Sequence, residues 1–411
     1  MLNIRALERM RPWPVYLMAA ALPVSMAATS VAKLLIVLFG LPLLVTALAR
    51  QQSIARLYQC KSLVVALVLL AALGLSISYS SVPWQQALGD WGKYGKLVVL
   101  PLVLLLLTSL QQCKRAIATL LIAQTVVLIS SCLLSAGVTL PWVPVARNAV
   151  ATVFSSYLDQ AIMTAGFAGI CWHFRAHFPS KFSTWLAGGL ALLAVVNVMA
   201  MLPGRSGQMA MLAVVTLAVW WAMPARWRLL MVVVPVLLTT VAAVTPSKFQ
   251  ERMGMAVTEL RAYSEHDDKT TSTGIRLNFW HHSLQAIAER PLTGFGVGSW
   301  GQQFLRLAGP SASLGVSPRS NPHQEYLQLG VQIGLGGIVL LIALMATLAR
   351  DAQRFQTPVK RATQSLVAVF AVACLFNSSL FDALIGDYFC GVLGILLAYG
   401  ASELALVEAA P

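Results

Sequence analysis

Apolar residues run in blocks of about twenty along nearly the whole chain, separated by short polar breaks. A block of that length, coiled as a helix, matches the roughly 30 Å hydrocarbon core of a bilayer. The blocks place predicted helices at 14–29, 31–48, 62–80, 94–110, 115–137, 151–172, 184–202, 207–222, 229–245, 323–349, 363–381 and 385–403. Runs 14–29 and 31–48 are almost continuous, and read as a tight hairpin or a less regular pair. The expected fold is an all-α polytopic membrane protein of about 12 transmembrane helices. It forms a single integral membrane domain over 1–411.

One stretch departs from the pattern. Residues 246–322 are mostly polar, too long for a connector, and fall between the ninth and tenth predicted helices. Within them Gly274–Arg290 has an apolar stripe of Leu277, Trp280, Leu284 and Ile287, the mark of an amphipathic helix. Pro291 to Gly298 then gives a glycine-rich turn, and 303–322 reads as a mobile loop. Structured external loops of this kind are where function tends to sit.

Composition closes other classes. Of the 411 residues 58% are hydrophobic and 11% charged, against about 25% charged in a soluble chain. Disorder and an ordinary soluble globule are excluded. The net charge of +14, from 29 Lys+Arg and 15 Asp+Glu, would suit a nucleic-acid partner if it formed one patch. It does not: the basic residues sit in short loops, so topology explains them and no nucleic acid is expected.

With the N-terminus in the cytoplasm, cytoplasmic segments carry Arg5, Arg9, Arg11, Arg50, Arg56, Lys61, Lys114, Arg115, Arg175, Lys181, Arg226, Arg228, Arg350, Arg354, Lys360 and Arg361. The short outward loops carry Lys93, Lys96, Arg147 and Arg205. That asymmetry puts both termini in the cytoplasm. Trp13, Trp84, Trp91, Trp142, Trp172, Trp185 and Trp227 fall near span ends as interfacial anchors. The basic N-terminus followed by an apolar run mimics a signal peptide, but similar runs follow it, so it reads as a first membrane helix. Six cysteines are scattered, with no CxxC spacing and no disulfide framework.

Polar groups near membrane depth need a reason. Pro203-Gly204-Arg205-Ser206-Gly207-Gln208 breaks two apolar helices on the outward side. Arg205 there stands beside free backbone N–H groups and a helix dipole, an arrangement suited to an anion, or to an arginine snorkelling to lipid phosphate. Arg276 on the loop helix and Arg147 in Pro141–Asn148 are weaker candidates that also read as solvated surface. His323, in Asn321-Pro322-His323-Gln324-Glu325-Tyr326, sits where the long loop meets the tenth helix and suits proton transfer near neutral pH. Gly330, Gly334 and Gly337 lie on neighbouring turns and would admit another helix closely. Gln208, Gln324, Glu325, Asp159, Asp382 and Asp387 are candidates to neutralise or orient these groups. There is no phosphate-binding P-loop. His281-His282 are adjacent, on different sides of a helix, and His173/His177 lie on the cytoplasmic side without a nearby acid, so no metal site and no cofactor are expected.

In order along the chain, the Arg205 turn, Arg276-x3-Trp280, Pro291-Leu292-Thr293-Gly294-Phe295-Gly296, and Pro322-His323-Gln324-Glu325-Tyr326-Leu327 with Gly330 resemble the O-antigen ligase and polymerase superfamily. The motifs lie within about 200–340, and Gln324 stands where the family often has asparagine. The chain looks most like the O-antigen ligases, because no second sizeable periplasmic loop of the polymerase kind is visible. The protein O-oligosaccharyltransferases of the superfamily are generally longer.

The resemblance implies a GT-C-like glycosyltransferase architecture in the bacterial inner membrane, with its active site facing the periplasm. It implies an undecaprenyl-pyrophosphate-linked O-antigen donor, a lipid A-core oligosaccharide acceptor, and membrane lipid as the surroundings. Arg205, Arg276 and Arg147 would then hold the pyrophosphate, and His323 would act as general base or as a pyrophosphate ligand. A lipid or glycan transporter is the rival from another class, and would want coupling residues through the bundle centre.

Overall fold

The computed structural model describes residues 10–50, 60–177, 180–232, 248–266, 271–309 and 321–408, with the isolated positions 237 and 240. Every regular element among them is helical. The helices are α1 (Trp13–Ala21), α2 (Met26–Arg50), α3 (Lys61–Leu75), α4 (Trp84–Tyr94), α5 (Val99–Leu106), α6 (Leu110–Ser135), α7 (Tyr157–Phe174) and α8 (Lys181–Val196). There follow α9 (Arg205–Ala222), α10 (Lys248–His266), α11 (Ser272–Glu289), α12 (Trp300–Ala308), α13 (Glu325–Asp351), α14 (Thr357–Phe376) and α15 (Ala383–Glu408). Short 3-10 turns or a π turn join several of them.

Among the described residues, seven helical stretches are long and apolar enough to cross a membrane: 26–46, 61–79, 110–135, 181–201, 325–354, 357–376 and 383–408. Together they make a multi-pass membrane protein. Their outer faces stay apolar, with Leu34, Leu38, Ile122, Leu192, Val339 and Ile342 exposed, as lipid contact requires.

The helices differ from the sequence expectation where local chemistry overrides hydropathy. The first apolar block is broken at Pro23: α1 has nine residues, a rise of about 13 Å, and ends in a turn before α2 begins at Met26. The block at 94–110 is a 3-10 turn followed by the eight-residue α5, because the capping box of Ser109 and Gln112 already starts α6. The block at 363–381 begins earlier, with a proline in the first turn of α14, and stops at Asn377. The amphipathic α4 was not expected as a helix. Most of the predicted ninth span, 229–245, lies outside the described residues, as do Arg5, Arg9 and Arg56.

Helix α9 packs between α7 and α14, and α8 flanks α7; α13 packs on α3 and α14, and α15 on α5 and α6. The close approach of α9 to α7 depends on Gly207, where an added Cβ would stand 2.2 Å from the Ala161 Cβ. The starts of α7, α9, α13 and α15 and the ends of α3, α6, α8 and α14 gather at one end of the bundle. Lys114, Arg175, Arg350, Arg354, Lys360 and Arg361 gather at the other, where His177 lies 3.9 Å from Glu403, an acidic partner not foreseen in the sequence.

The long polar stretch contributes three helices. Helix α11 covers the stretch expected as an amphipathic helix over Gly274–Arg290, but the expected stripe is not its buried face. Phe279, Ser283, Ala286 and Ile287 are buried while Leu284 is exposed, and His281 and His282 both bond Gln285 rather than diverging. The beginning of the supposed mobile loop is instead α12, which buries Trp300 and Phe304 against Phe279 of α11. Residues 310–320 lie outside the described residues.

The glycine-rich turn fastens these helices to the bundle. Gly294, Gly296 and Gly298 all have positive φ. The Phe295 and Gly296 amides donate to the Val331 and Gln332 carbonyls at 2.8 Å each, and Leu335 donates to Pro291 O at 2.7 Å. These bonds take up backbone groups released where α13 breaks at Ile333 and Gly334, the latter at φ +68°. The segment approaching Gly334 is therefore the 291–296 turn, and Gly330 meets Ile287 of α11, rather than another membrane helix in either case.

Candidate active site

Three loops converge at the bundle end carrying the starts of α7, α9 and α13. The first delivers Arg205. Gly204 caps α9 without a side chain, and an added Cβ there would stand 3.2 Å from the Tyr157 carbonyl, so the start of α9 rests directly on the start of α7. Gln208, fully buried, donates to Leu202 O at 3.1 Å and braces this break. Arg205 reaches across to the polar stretch. Its Nη1 lies 3.3 Å from the Thr273 hydroxyl and its Nη2 3.3 Å from Glu259 Oε2.

Helix α11 supplies the second cation. Thr271 caps it, accepting from the Gly274 amide at 3.0 Å, and the Thr273 amide donates to Glu259 at 3.2 Å. Burial alone would push the Glu259 carboxyl up, but the Thr273 hydroxyl and the Arg205 guanidinium outweigh it and hold the group below its usual range. Arg276 lies one turn further on, half-buried. Its pKa is lowered by burial and by the charge of Arg205, with Tyr157 and Glu259 also near. Among the described residues none accepts a hydrogen bond from Arg276. Two guanidiniums thus stand together against one carboxylate, and the surplus positive charge favours an anion.

The third loop delivers His323. Its φ of +52° is unusual for a side-chain-bearing residue, and its amide donates to Asn321 Oδ1 at 2.9 Å in a tight turn. The preceding Pro322 carbonyl accepts from Trp280 Nε1 at 3.2 Å. The exposed imidazole lies nearly parallel to the Phe279 ring, with centroids 6.3 Å apart and planes 19° off. Arg276, Phe279 and Trp280 sit at i, i+3 and i+4, so one face of α11 holds both the free cation and the histidine. Surrounding protein atoms and the Arg276 charge lower the His323 pKa, and a hydrogen bond donated by the imidazole to the Asn377 side chain partly offsets them. The imidazole is therefore neutral near pH 7.

Asn377 ends α14, is almost fully buried, and also bonds Asp382. Burial pushes the Asp382 carboxyl up to about 6; the Asn377 bond opposes this and the charge of Asp159 adds to it. Asp159 lies in the first turn of α7, behind the Ser156 cap. Glu325 fixes the 377–382 turn: its Oε2 accepts from the Leu380 amide at 2.7 Å and the Phe381 amide at 3.2 Å.

The structure thus brings together Arg205, Arg276, His323, Asp159 and Asp382. Gln208 and Glu325 hold the backbone from behind, and Gln324 occupies the cap position of α13. Two candidates lie elsewhere. Arg147 donates to the Val153 and Ser155 carbonyls at 3.0 and 3.5 Å, bracing the approach to α7. Asp387 pairs with Lys33 of α2 at 2.8 Å.

Asn377, Phe279, Thr273 and Glu259 escaped the sequence reading. Asn377-Ser378-Ser379 had a usable signal: three polar residues inside what looked like one apolar span. Glu259 had none.

Residues 189–342 match the family model described as O-Antigen ligase. That segment contains Arg205, Arg276 and His323, and by this match it is similar to the O-antigen ligases. The chain is also 26% identical, over 179 residues, to a protein of Haemophilus influenzae (strain Rd) described only as uncharacterized. The match covers 42% of this chain and 45% of that relative, so the chain spans under half the length of the curated relative it matches.

Proposed function

We infer that the protein transfers an O-antigen glycan from undecaprenyl pyrophosphate to lipid A-core oligosaccharide at the periplasmic face of the inner membrane. The observation that carries this reading is Arg276, a half-buried guanidinium without an acceptor among the described residues, beside Arg205 and on the same helix face as the His323 stack. Glycosyl transfer from a pyrophosphate needs what such a pair offers. As the bond from the anomeric carbon to the pyrophosphate oxygen breaks, the electron pair leaves on the pyrophosphate, and the two arginines stabilise that charge. His323, neutral near pH 7, takes the proton of the acceptor hydroxyl as its oxygen bonds the anomeric carbon. Direct attack inverts that centre. The chemistry requires no nucleotide, and the arginines fill the role a divalent cation has in other glycosyltransferases. Arg147 remains a third candidate for the pyrophosphate, reaching it only if its turn rearranges.

An apolar groove supports the lipid-linked donor. It has a volume of about 260 Å³ and lies between α7, α8 and α9, lined by Ala168, Leu192, Val195, Val214 and Val219. Its α9 lining begins at Val214, about 13 Å along the helix from Arg205, so a lipid whose phosphates sit at Arg205 would reach it with the outer part of its tail.

The test uses purified protein with lipid A-core and undecaprenyl-pyrophosphate-linked glycan, without ATP and with EDTA. Wild type should yield glycan-bearing lipid A-core, and folded His323→Ala and Arg205→Ala variants should not. Glycan lengthening on the lipid carrier would instead establish a polymerase. Movement of lipid across liposomes without transfer would establish a transporter.

A further inference from the structure

A second cationic pocket lies on the other side of the 377–382 turn. It has a volume of about 450 Å³ and is lined by Lys33 of α2, Lys93 and Lys96 beside α4, and Phe381, Asp382 and Ala383. Gly89 and Gly92 leave part of its wall as bare backbone, for an added Cβ at either would meet nothing within 4 Å. Lys33 pairs with Asp387 at 2.8 Å. Lys93 lies 2.7 Å from Asp90 and 3.8 Å from the centre of the Phe381 ring. Lys96 differs: it is 3% exposed, and its ammonium donates to the Asp382 and Ala383 carbonyls rather than to a carboxylate. Two of the three ammonium groups thus sit in ion pairs, while the buried third is held by backbone carbonyls and makes no direct ion pair among the described residues, with the Asp387, Asp382 and Glu325 charges near it.

The position of this pocket matters as much as its charge. Asp382 belongs to both sites: its side chain bonds Asn377, the partner of His323, while its carbonyl holds Lys96. The pyrophosphate candidates Arg205 and Arg276 lie on the α9 and α11 side of His323, and the lysines lie on the α2 and α4 side. Val31, Leu34 and Leu38 are exposed beside Lys33, so the pocket opens onto an apolar face of the bundle. A ligand suited to it carries an anionic group next to a lipid.

We propose that the Lys33–Lys93–Lys96 pocket binds a phosphate or carboxylate of the acceptor glycolipid, holding the acceptor across the 377–382 turn so that its hydroxyl faces His323. This rests on the transferase reading above. It gives donor and acceptor separate anion sites on opposite sides of the histidine. A resident bilayer phospholipid offers the same anionic chemistry, and the experiment separates the two sources.

Lys33→Gln and Lys93→Gln are made singly and together; both side chains are partly exposed and neither touches His323. Acceptor binding is measured first without donor, as retention of fluorescent lipid A-core on protein in phosphatidylcholine nanodiscs. That readout survives even if the protein turns out not to be a transferase. The double variant should bind the acceptor about tenfold or more weakly, the loss expected when a phosphate loses a charged partner. Wild type should weaken similarly toward phosphatase-treated acceptor, and the double variant should show little further loss on it. In transfer assays the acceptor KM should rise while the donor KM stays put. Equal binding by variant and wild type would overturn the proposal, as would undiminished discrimination against the dephosphorylated acceptor. If the substitutions changed only the response to replacing phosphatidylcholine with phosphatidylglycerol, the pocket would belong to a bilayer lipid and the proposal would fall.

Discussion

Glu325, the first residue of α13, accepts the Leu380 amide at 2.7 Å across the gap between α13 and α15. With the second bond from Phe381, this carboxylate is the buried anchor of the turn that holds Asn377 against His323. Glu325→Ala would leave two buried N–H groups without an acceptor, costing about 1–3 kcal/mol each. Glu325→Gln keeps one carbonyl oxygen at the same place. We expect the alanine variant to lower both Tm and transfer rate, and the glutamine variant to retain most of each. Comparing the two by thermal unfolding and by transfer assay decides it. An alanine variant of wild-type activity would show that the turn does not position the site.

The pH profile follows from His323. Its pKa is held below the ordinary histidine value by the surrounding protein and then by the Arg276 charge. A general base works when unprotonated, so kcat/KM should rise with pH through a midpoint below about 6.5 and be level by neutrality. Removing the Arg276 charge raises the imidazole pKa, so Arg276→Gln should carry the acid limb to higher pH besides weakening transfer. A profile of kcat/KM between pH 5 and 8 for both proteins checks this. An unmoved limb in Arg276→Gln would mean that some other group sets it.

Hydropathy located the bundle, because burying a helix in lipid requires nearly every residue to be apolar, and that leaves a long, strong signal. It failed at Pro23, at Ser109 and at Asn377, where one proline, one capping box and one polar triplet set the helix ends. Arg205 and His323 stood out because each is a polar group placed at a break in an apolar pattern, whereas Arg276 was only a lone arginine on the amphipathic loop helix. Glu259 and Phe279 did not stand out, because their roles depend on how α10 and α11 fold back over the bundle, and no local pattern encodes that. Arg147 was a weaker candidate than Arg205 in the sequence, on a par with Arg276. The structure distinguishes them by partner: Arg147 holds backbone carbonyls, whereas Arg205 faces a carboxylate and a second arginine.

The arginines should not tolerate lysine. A guanidinium presents paired N–H donors in a fixed fork, which an ammonium cannot reproduce on a pyrophosphate. Arg205→Lys and Arg276→Lys are each expected to lower kcat/KM by about 10²–10³-fold, the range for losing one charge-stabilising donor. Arg147→Lys should leave kcat/KM within a few-fold of wild type, with any defect appearing in Tm. Steady-state kinetics on the three purified variants separates the groups. A large kcat/KM loss in Arg147→Lys at unchanged Tm would bring Arg147 back as a pyrophosphate ligand.

The contact that seats Arg205 can be tested two residues away from it. At Gly207 an added Cβ would stand 2.2 Å from the Ala161 Cβ and 2.9 Å from the Ala161 carbonyl carbon, so even alanine forces α9 off α7. Overpacking of this kind costs about 1–3 kcal/mol, and here it also displaces the start of α9, on which Arg205 rides. Gly207→Ala should therefore lower Tm and raise the donor KM together. Ala161→Gly in the same chain removes the nearer obstacle and should recover part of both losses, a coupling that independent sites do not show. Gly189→Ala on α8 meets nothing within 4 Å and should leave activity unchanged. If Gly207→Ala lowered Tm but left donor KM untouched, the seating of α9 on α7 would matter for stability alone, and Arg205 would owe its position to Glu259 and Thr273.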